Sequence, residues 1–225
     1  MGIITFSIPK DIVEAFKRKG NIRNFAETGT YQGGSCFWAA TQFENVYTIE
    51  IDPDISKETA AKLDCPSNIR FYVGNSRDVL PQVVQDLHGR TLFWLDGHWC
   101  NVSELGKNDE CPLMDEIKAL RHLKDAVILI DDARLFFGNL NELHDKSYWP
   151  DYSEIKTLLH QQFPDNLITV CDDVIFCIPP DLITNYQEMR PFHFWQISDP
   201  YKLRMQAWFK RKKDRIKRVI RKMKI

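Results

Sequence analysis

Residues 24–35 read Asn-Phe-Ala-Glu-Thr-Gly-Thr-Tyr-Gln-Gly-Gly-Ser, a β-rich run that passes straight into a glycine-bearing turn. A helical pattern follows near 33–42. Glycines at such a strand-to-helix turn let the backbone come close to a bound ligand. The spacing Glu27-x-Gly29-x-x-x-Gly33 is not the G-x-G-x-x-G of dinucleotide sites, and no G-K-[ST] supplies a phosphate-gripping loop. Taken alone the segment reads equally well as a plain tight turn. Its neighbours decide the matter.

Working outward, β-rich runs recur at 24–27, 45–51, 69–73, 91–95 and 126–130. Helix-like stretches near 33–42, 54–63, 77–87 and 112–124 separate them, and Pro9 opens a helix to Lys19 with Gly20 as its stop. Pro112 suits a first helical turn, with Asp109 or Glu110 as its cap. Fairly continuous apolar strands such as Thr91–Leu95 and Val127–Ile130 indicate a parallel sheet covered on both faces. The pattern changes after 164, where runs at 167–171 and 174–177 flank Asp172-Asp173 as an antiparallel hairpin. The expected architecture is a doubly wound, mostly parallel seven-stranded α/β sheet that ends in this hairpin.

Composition is that of an ordinary globular domain, with 44% hydrophobic and 27% charged residues in 225. The six scattered cysteines form no C-x-x-C, so neither a zinc site nor a disulfide framework is expected, and a reducing, cytoplasmic setting is. No signal peptide and no membrane-spanning run are read from the chain. The net charge of −1 is divided unevenly, because residues 201–225 carry twelve Lys/Arg against one Asp. That leaves −12 for 1–200 and makes 201–225 a separate unit beside the 1–200 domain. Met205, Trp208, Phe209, Ile216, Val219, Ile220 and Met223 recur in it at helical spacing. A helix packed on the acidic body, an anionic membrane surface on the inner face, and nucleic acid are all partners for such a segment. Membrane ranks first, because it explains the apolar stripe, and nucleic acid last.

Chemistry-bearing residues cluster at the predicted strand ends. Glu50 follows Glu27 by 23 residues and closes the next strand, where a carboxylate can accept both hydroxyls of a ribose. Asn75 and Ser76 follow the third strand and offer amide and hydroxyl groups to a base edge. Asp96 ends the fourth strand in Leu-Asp-Gly-His-Trp, and Asp131 and Asp132 end the fifth. Three carboxylates converging on one cleft would repel one another and resist burial, which a hard divalent cation would relieve.

The ordered series Glu27-x-Gly29-x-x-x-Gly33, Glu50, Asn75-Ser76 and the closing hairpin resembles the class I S-adenosylmethionine-dependent methyltransferases over roughly 22–178. The resemblance implies that Glu27, Gly29, Thr30 and Gly33 line the methionine end of S-adenosylmethionine. It places Glu50 on the ribose, and Asn75 and Ser76 toward the adenine. Asp96 with Asp131-Asp132 is similar to the cation-dependent O-methyltransferases of catechols and, more closely, of sugars. That likeness implies Asp96, Asp131 and Asp132 as ligands of Mg²⁺ or Mn²⁺, with His98 as general base where the sugar enzymes carry an acid. The expected activity is transfer of a methyl group to a hydroxyl of a sugar, glycan or glycosylated metabolite. An RNA or protein methyltransferase and a non-catalytic binding module recruited through 201–225 stay open as alternatives, as does a homo-oligomer. Two polar loops, 100–110 and 139–150, are expected to wall the cleft, the second with His144, Tyr148 and Trp149.

Overall fold

The computed structural model describes residues 8–190, and the expected helix at 201–225 lies outside them. Seven strands form one sheet: β1 Asn24–Thr28, β2 Asn45–Glu50, β3 Ile69–Val73, β4 Thr91–Leu95, β5 Val127–Ile130, β6 Leu167–Cys171 and β7 Val174–Ile178. Their order is β3-β2-β1-β4-β5-β7-β6, with β1 to β5 parallel and β7 antiparallel to both β5 and β6. The β6–β7 turn places Asp172 at φ 51° and Asp173 at φ 69°. Positive φ at both central residues suits the twist of a two-residue hairpin, and Asp tolerates it better than most side chains.

Alternation along the strands divides the core between two faces. Phe25, Val46, Leu92, Trp94, Val127, Leu129 and Phe176 join the helices α1 Lys10–Gly20, α2 Gly34–Ala40 and α7 (Pro180–Met189) on one side. Ala26, Tyr47, Phe93, Leu95, Ile128, Ile130 and Ile175 join α4 Ser76–Gln85, α5 Leu113–Ala119 and α6 Tyr152–Gln162 on the other. The helix α3 Pro53–Ala60 starts with Pro53 in its first turn, and Asp52 caps it by accepting from the backbone N–H groups of Asp54 and Ile55.

Several expected boundaries move, each for a local reason. Gly20 is the last residue of α1, and Asn21 takes the left-handed stop position at φ 48°. The helix expected at 112–124 runs only from Leu113 to Ala119, because tighter turns take over through Leu123. Neither Asp109 nor Glu110 caps it, since both carboxylates are engaged elsewhere.

Strand order reverses between β1 and β4, and it is there that a doubly wound sheet opens a crevice at its carboxyl edge. The two strands are held in register to their last residues, Thr28 opposite Leu95. Just beyond, the Asp96 N–H donates to the Thr28 carbonyl, and Gly29 has φ 85°. A Cβ on Gly29 would lie 2.2 Å from the Asp96 carbonyl oxygen, so only glycine fits on two counts. The expected effect of Gly29→Ala is a loss of about 2–4 kcal/mol from left-handed strain and backbone overlap combined. Urea denaturation of the full chain is the check, and a loss under about 1 kcal/mol would contradict this packing.

Candidate active site

The glycine turn is knitted to the strand ends by side chains from three elements. Glu27 is buried at the end of β1, where the Thr48 hydroxyl donates to its Oε1 at 2.7 Å and the Ser35 hydroxyl donates to Oε2. Burial raises its pKa to about 7, against the lowering effect of those hydroxyls. Thr30 joins the same network through a 2.6 Å hydroxyl contact with Thr48. Glu50, also buried, accepts from the Tyr31 N–H at 2.8 Å and from the Asp52 N–H at 3.1 Å. It therefore fastens the glycine turn to the end of β2. Gly33, at φ 77°, immediately precedes α2.

Asn75 caps α4 by accepting from the Arg77 N–H at 3.1 Å, while its amide nitrogen donates to Asp109 at 2.9 Å. Arg77 donates to the other Asp109 oxygen at 2.7 Å. The Ser103 hydroxyl donates to Asp52 at 2.7 Å. The polar loop after β4 thus crosses the carboxyl edge and is pinned at both ends beside the residues expected to hold a nucleoside. Ser76 is buried next to the Glu116 carboxyl.

The acidic trio does not converge as expected. Asp96 and Asp132 come together, and the third member of their group is His98: one potential ligand atom from each lies within 4.8 Å of the others. His98 Nε2 donates to Asp132 Oδ2 at 3.0 Å, and its Nδ1 stands 3.8 Å from Asp96 Oδ1. Asp131 is outside the group, and its Oδ1 accepts from the Asp132 N–H at 2.7 Å. Asp132 itself takes φ 54°, outside the extended conformation of β5.

The electrostatics differ accordingly. Burial, then the charges of Asp96 and Asp132, push the Asp131 carboxyl up to about 8. Burial also opposes charge on Asp132, but the His98 hydrogen bond and charge, with Arg134, outweigh it and hold this carboxyl far below the usual range. Burial opposes protonation of His98, and its bond to Asp132 with the charges of Asp132 and Asp96 outweighs that too, raising the imidazole. Arg134 donates to Asp132 Oδ1 at 2.6 Å and also pairs with Asp173 at the hairpin tip. Arg134 was not singled out in the sequence, although a cation two positions after an acidic pair was a visible signal.

Glu110 was missed in its actual role. Its buried carboxylate accepts from Trp149 Nε1 at 2.7 Å, His144 Nδ1 at 2.9 Å and the Asp145 N–H at 3.0 Å. It therefore joins the two polar loops into one wall. The Trp149 ring meets His98 edge-on at 5.3 Å, so the wall also backs the imidazole. Tyr148 points outward, exposed. Hydrogen bonds to a charged group are worth about 1.5–3 kcal/mol each, and stranded donors add a desolvation cost. Glu110→Ala is expected to lose about 3 kcal/mol or more in urea denaturation. It should also shift tryptophan fluorescence to the red, whereas an unchanged midpoint would mean the wall is held by other contacts.

No protein-family model matches the chain, and no curated protein does. Among solved structures, human methyltransferase-like protein 13 in complex with SAH superposes with a TM-score of 0.52. It is 12% identical and covers 84% of this chain and 95% of its own. Cofactor-bound Rv0187 from MTB gives 0.47 at 18% identity, over 76% of this chain and 79% of its own. The strand order with its terminal antiparallel hairpin and the likeness to the human structure agree: this chain has the class I methyltransferase fold.

Proposed function

We propose that the protein is an S-adenosylmethionine-dependent methyltransferase that methylates a hydroxyl of a sugar, glycan or glycosylated metabolite, with His98 as general base. The observation that carries this reading is the row of strand-end groups at the β1–β4 crevice, with the His98–Asp132 pair two residues beyond it. Glu27, Gly29, Thr30 and Gly33 line the methionine end. Glu50 takes the ribose, and the Asn75–Ser76 corner with Asp109 faces the adenine.

The sulfonium supplies a methyl group already activated for displacement, so the protein's task is alignment and proton removal. With the Nε2 proton committed to Asp132, Nδ1 is the nitrogen that accepts the acceptor's hydroxyl proton. As the oxygen–methyl bond forms and the carbon–sulfur bond breaks, that proton comes to rest on His98. The imidazolium then lies between Asp132 at 3.0 Å and Asp96 at 3.8 Å, both favouring its charge. Arg134 keeps Asp132 ionised and fixed for this role.

A second reading keeps the divalent cation, favoured by the grouping of Asp96, His98 and Asp132. An imidazole among the ligands suits Mn²⁺ or a later transition ion better than Mg²⁺, which prefers oxygen. Such an ion would supply a Lewis acid for the acceptor hydroxyl. His98 could not then also be the base, and Arg134 already neutralises Asp132. These two facts place the base first.

Two outcomes are expected. The first concerns Glu27, whose folded pKa of about 7 exceeds the ordinary 4.5, so its protonated form is favoured in the fold and ionisation costs stability as pH rises between those values. The ammonium of the methionine end would favour ionised Glu27, so binding at pH 6 should release a proton. Calorimetry in buffers of different ionisation heat measures this, and Glu27→Gln should abolish the release. Absence of binding to the folded wild-type protein would remove the functional reading altogether.

The second expected outcome is that His98→Ala lowers turnover about 10²–10⁴-fold with cofactor affinity unchanged. Transfer of labelled methyl to a panel of monosaccharides and glycosides is the assay. Full activity in chelator supports the base; loss in chelator with recovery on Mn²⁺ moves the chemistry to the cation.

A further inference from the structure

The wall that backs His98 holds a second imidazole paired with a carboxylate. His144 Nδ1 donates to Glu110 Oε2 at 2.9 Å, and Glu110 is 2% exposed. A neutral ring whose Nδ1 is the donor carries its free lone pair on Nε2. That nitrogen has no hydrogen-bond partner among the described residues, and it is not one of the buried unsatisfied side-chain atoms, so it opens to solvent. One indole contacts both imidazoles: the Trp149 ring centroid is 5.3 Å from His98 and 5.0 Å from His144. Trp99, next in the chain to His98, meets the His144 ring edge-on at 5.8 Å.

Bracing the wall accounts for only half of this ring. Glu110 already takes the Trp149 indole N–H and the Asp145 backbone N–H, so His144 is a third donor to a carboxylate otherwise served. What the imidazole adds is an acceptor of fixed tautomer and orientation, held by a buried partner and two aromatic neighbours. A single uncharged lone pair of this kind calls for one O–H or N–H donor and offers nothing to an anion. A sugar carries several hydroxyls on neighbouring carbons. While one gives its proton to His98 Nδ1, another on the same molecule can donate to a second imidazole in the same wall. Two fixed acceptors that read two hydroxyls together align the sugar and select the position that reacts.

We propose that His144 Nε2 accepts a hydrogen bond from a second hydroxyl of the acceptor and so determines which hydroxyl meets His98. The proposal rests on the reading of His98 as the base and of the acceptor as a sugar. It narrows the acceptor to one with a free hydroxyl beside the one that is methylated.

The test is transfer of labelled methyl by the full chain to glucose, galactose, mannose and rhamnose, and to the monodeoxy analogues of whichever sugar reacts best. In the wild type, one deoxy analogue other than that lacking the methylated hydroxyl should show a KM about tenfold above the parent's, the worth of one hydrogen bond. His144→Asn puts an amide nitrogen close to where Nδ1 stands, so it can still serve Glu110, and has nothing at the place of Nε2. It should raise the KM for the parent sugar about tenfold and leave that for the deoxy analogue unchanged, with S-adenosylhomocysteine affinity as in the wild type. A brace alone would not distinguish the two sugars. A second measurement needs no variant to fold: in wild-type protein with ¹⁵N-labelled histidine, saturating sugar should move the one Nε2 resonance of a ring protonated at Nδ1 upfield, as accepting a hydrogen bond does. Equal KM values for parent and deoxy sugars in the wild type, discrimination that survives His144→Asn, or an unmoved Nε2 resonance overturns the role of His144. No transfer to any of the sugars would instead overturn the reading of the acceptor, and failure of S-adenosylhomocysteine to bind would overturn that of the whole site.

Discussion

Everything in the site depends on how closely β1 and β4 approach at their carboxyl ends. The Asp96 N–H donates to both the carbonyl and the hydroxyl of Thr28, and Gly29 has no side chain to separate the two backbones. That contact fixes where β4 stops and hence where the chain turns to present Asp96 and His98. It also fixes where the glycine turn begins, because Gly29 donates to the Ile49 carbonyl on the other flank. Glycine turn and acidic edge are therefore one unit, set by backbone hydrogen bonds rather than by flexible side chains. The methyl transfer proposed above, with donor methyl and acceptor oxygen held in line, would need that rigidity.

Several buried acids share this edge, and each is accommodated differently. Glu27 takes two hydroxyl donors and shifts toward neutrality, and Glu50 takes two backbone N–H groups. Glu110 takes three donors. Asp131 is pushed toward its neutral form by burial and by neighbouring carboxylates, whereas Asp132 stays charged through His98 and Arg134. Like charges brought together in a low-dielectric crevice cannot all persist, so the fold separates them by partner rather than by distance.

The sequence made much of this legible. The apolar runs and the hairpin pair gave the strands, and the spacing of Glu27, Gly29, Gly33 and Glu50 placed the glycine turn and the β2 end beside one another, since both depend on spacing along the chain. What it could not give was which of Asp131 and Asp132 joins Asp96 and His98, because Asp132 leaves the extended conformation at φ 54° and strand alternation no longer applies. The three-aspartate cluster follows from two neighbouring strand ends, and of its members Asp96 and Asp132 fall in one ligand-sized group with His98 while Asp131 lies outside it. Glu110 escaped for a similar reason: its partners are 34–39 residues distant. Burial of a charged residue has no sequence periodicity of its own.

Arg134 shows how far the last element of the sheet reaches into the chemistry. Its guanidinium bridges Asp132 and Asp173, and its backbone N–H donates to Asp173 at 2.9 Å, while Ala133 donates to the Asp173 carbonyl. The tip of the β6–β7 hairpin thus holds the segment that follows β5. The left-handed conformations at Asp132, Asp172 and Asp173 sit at the same junction, each costly for a non-glycine residue, and these bonds offset the cost at Asp132 and Asp173. A cation fixed by two carboxylates in this way does locally what a bound divalent ion does elsewhere: it offsets the acidic edge and holds one carboxylate ionised and oriented. The terminal hairpin is in this sense part of the active edge, since loosening it would release Arg134 and, through Asp132, the imidazole that Asp132 aligns.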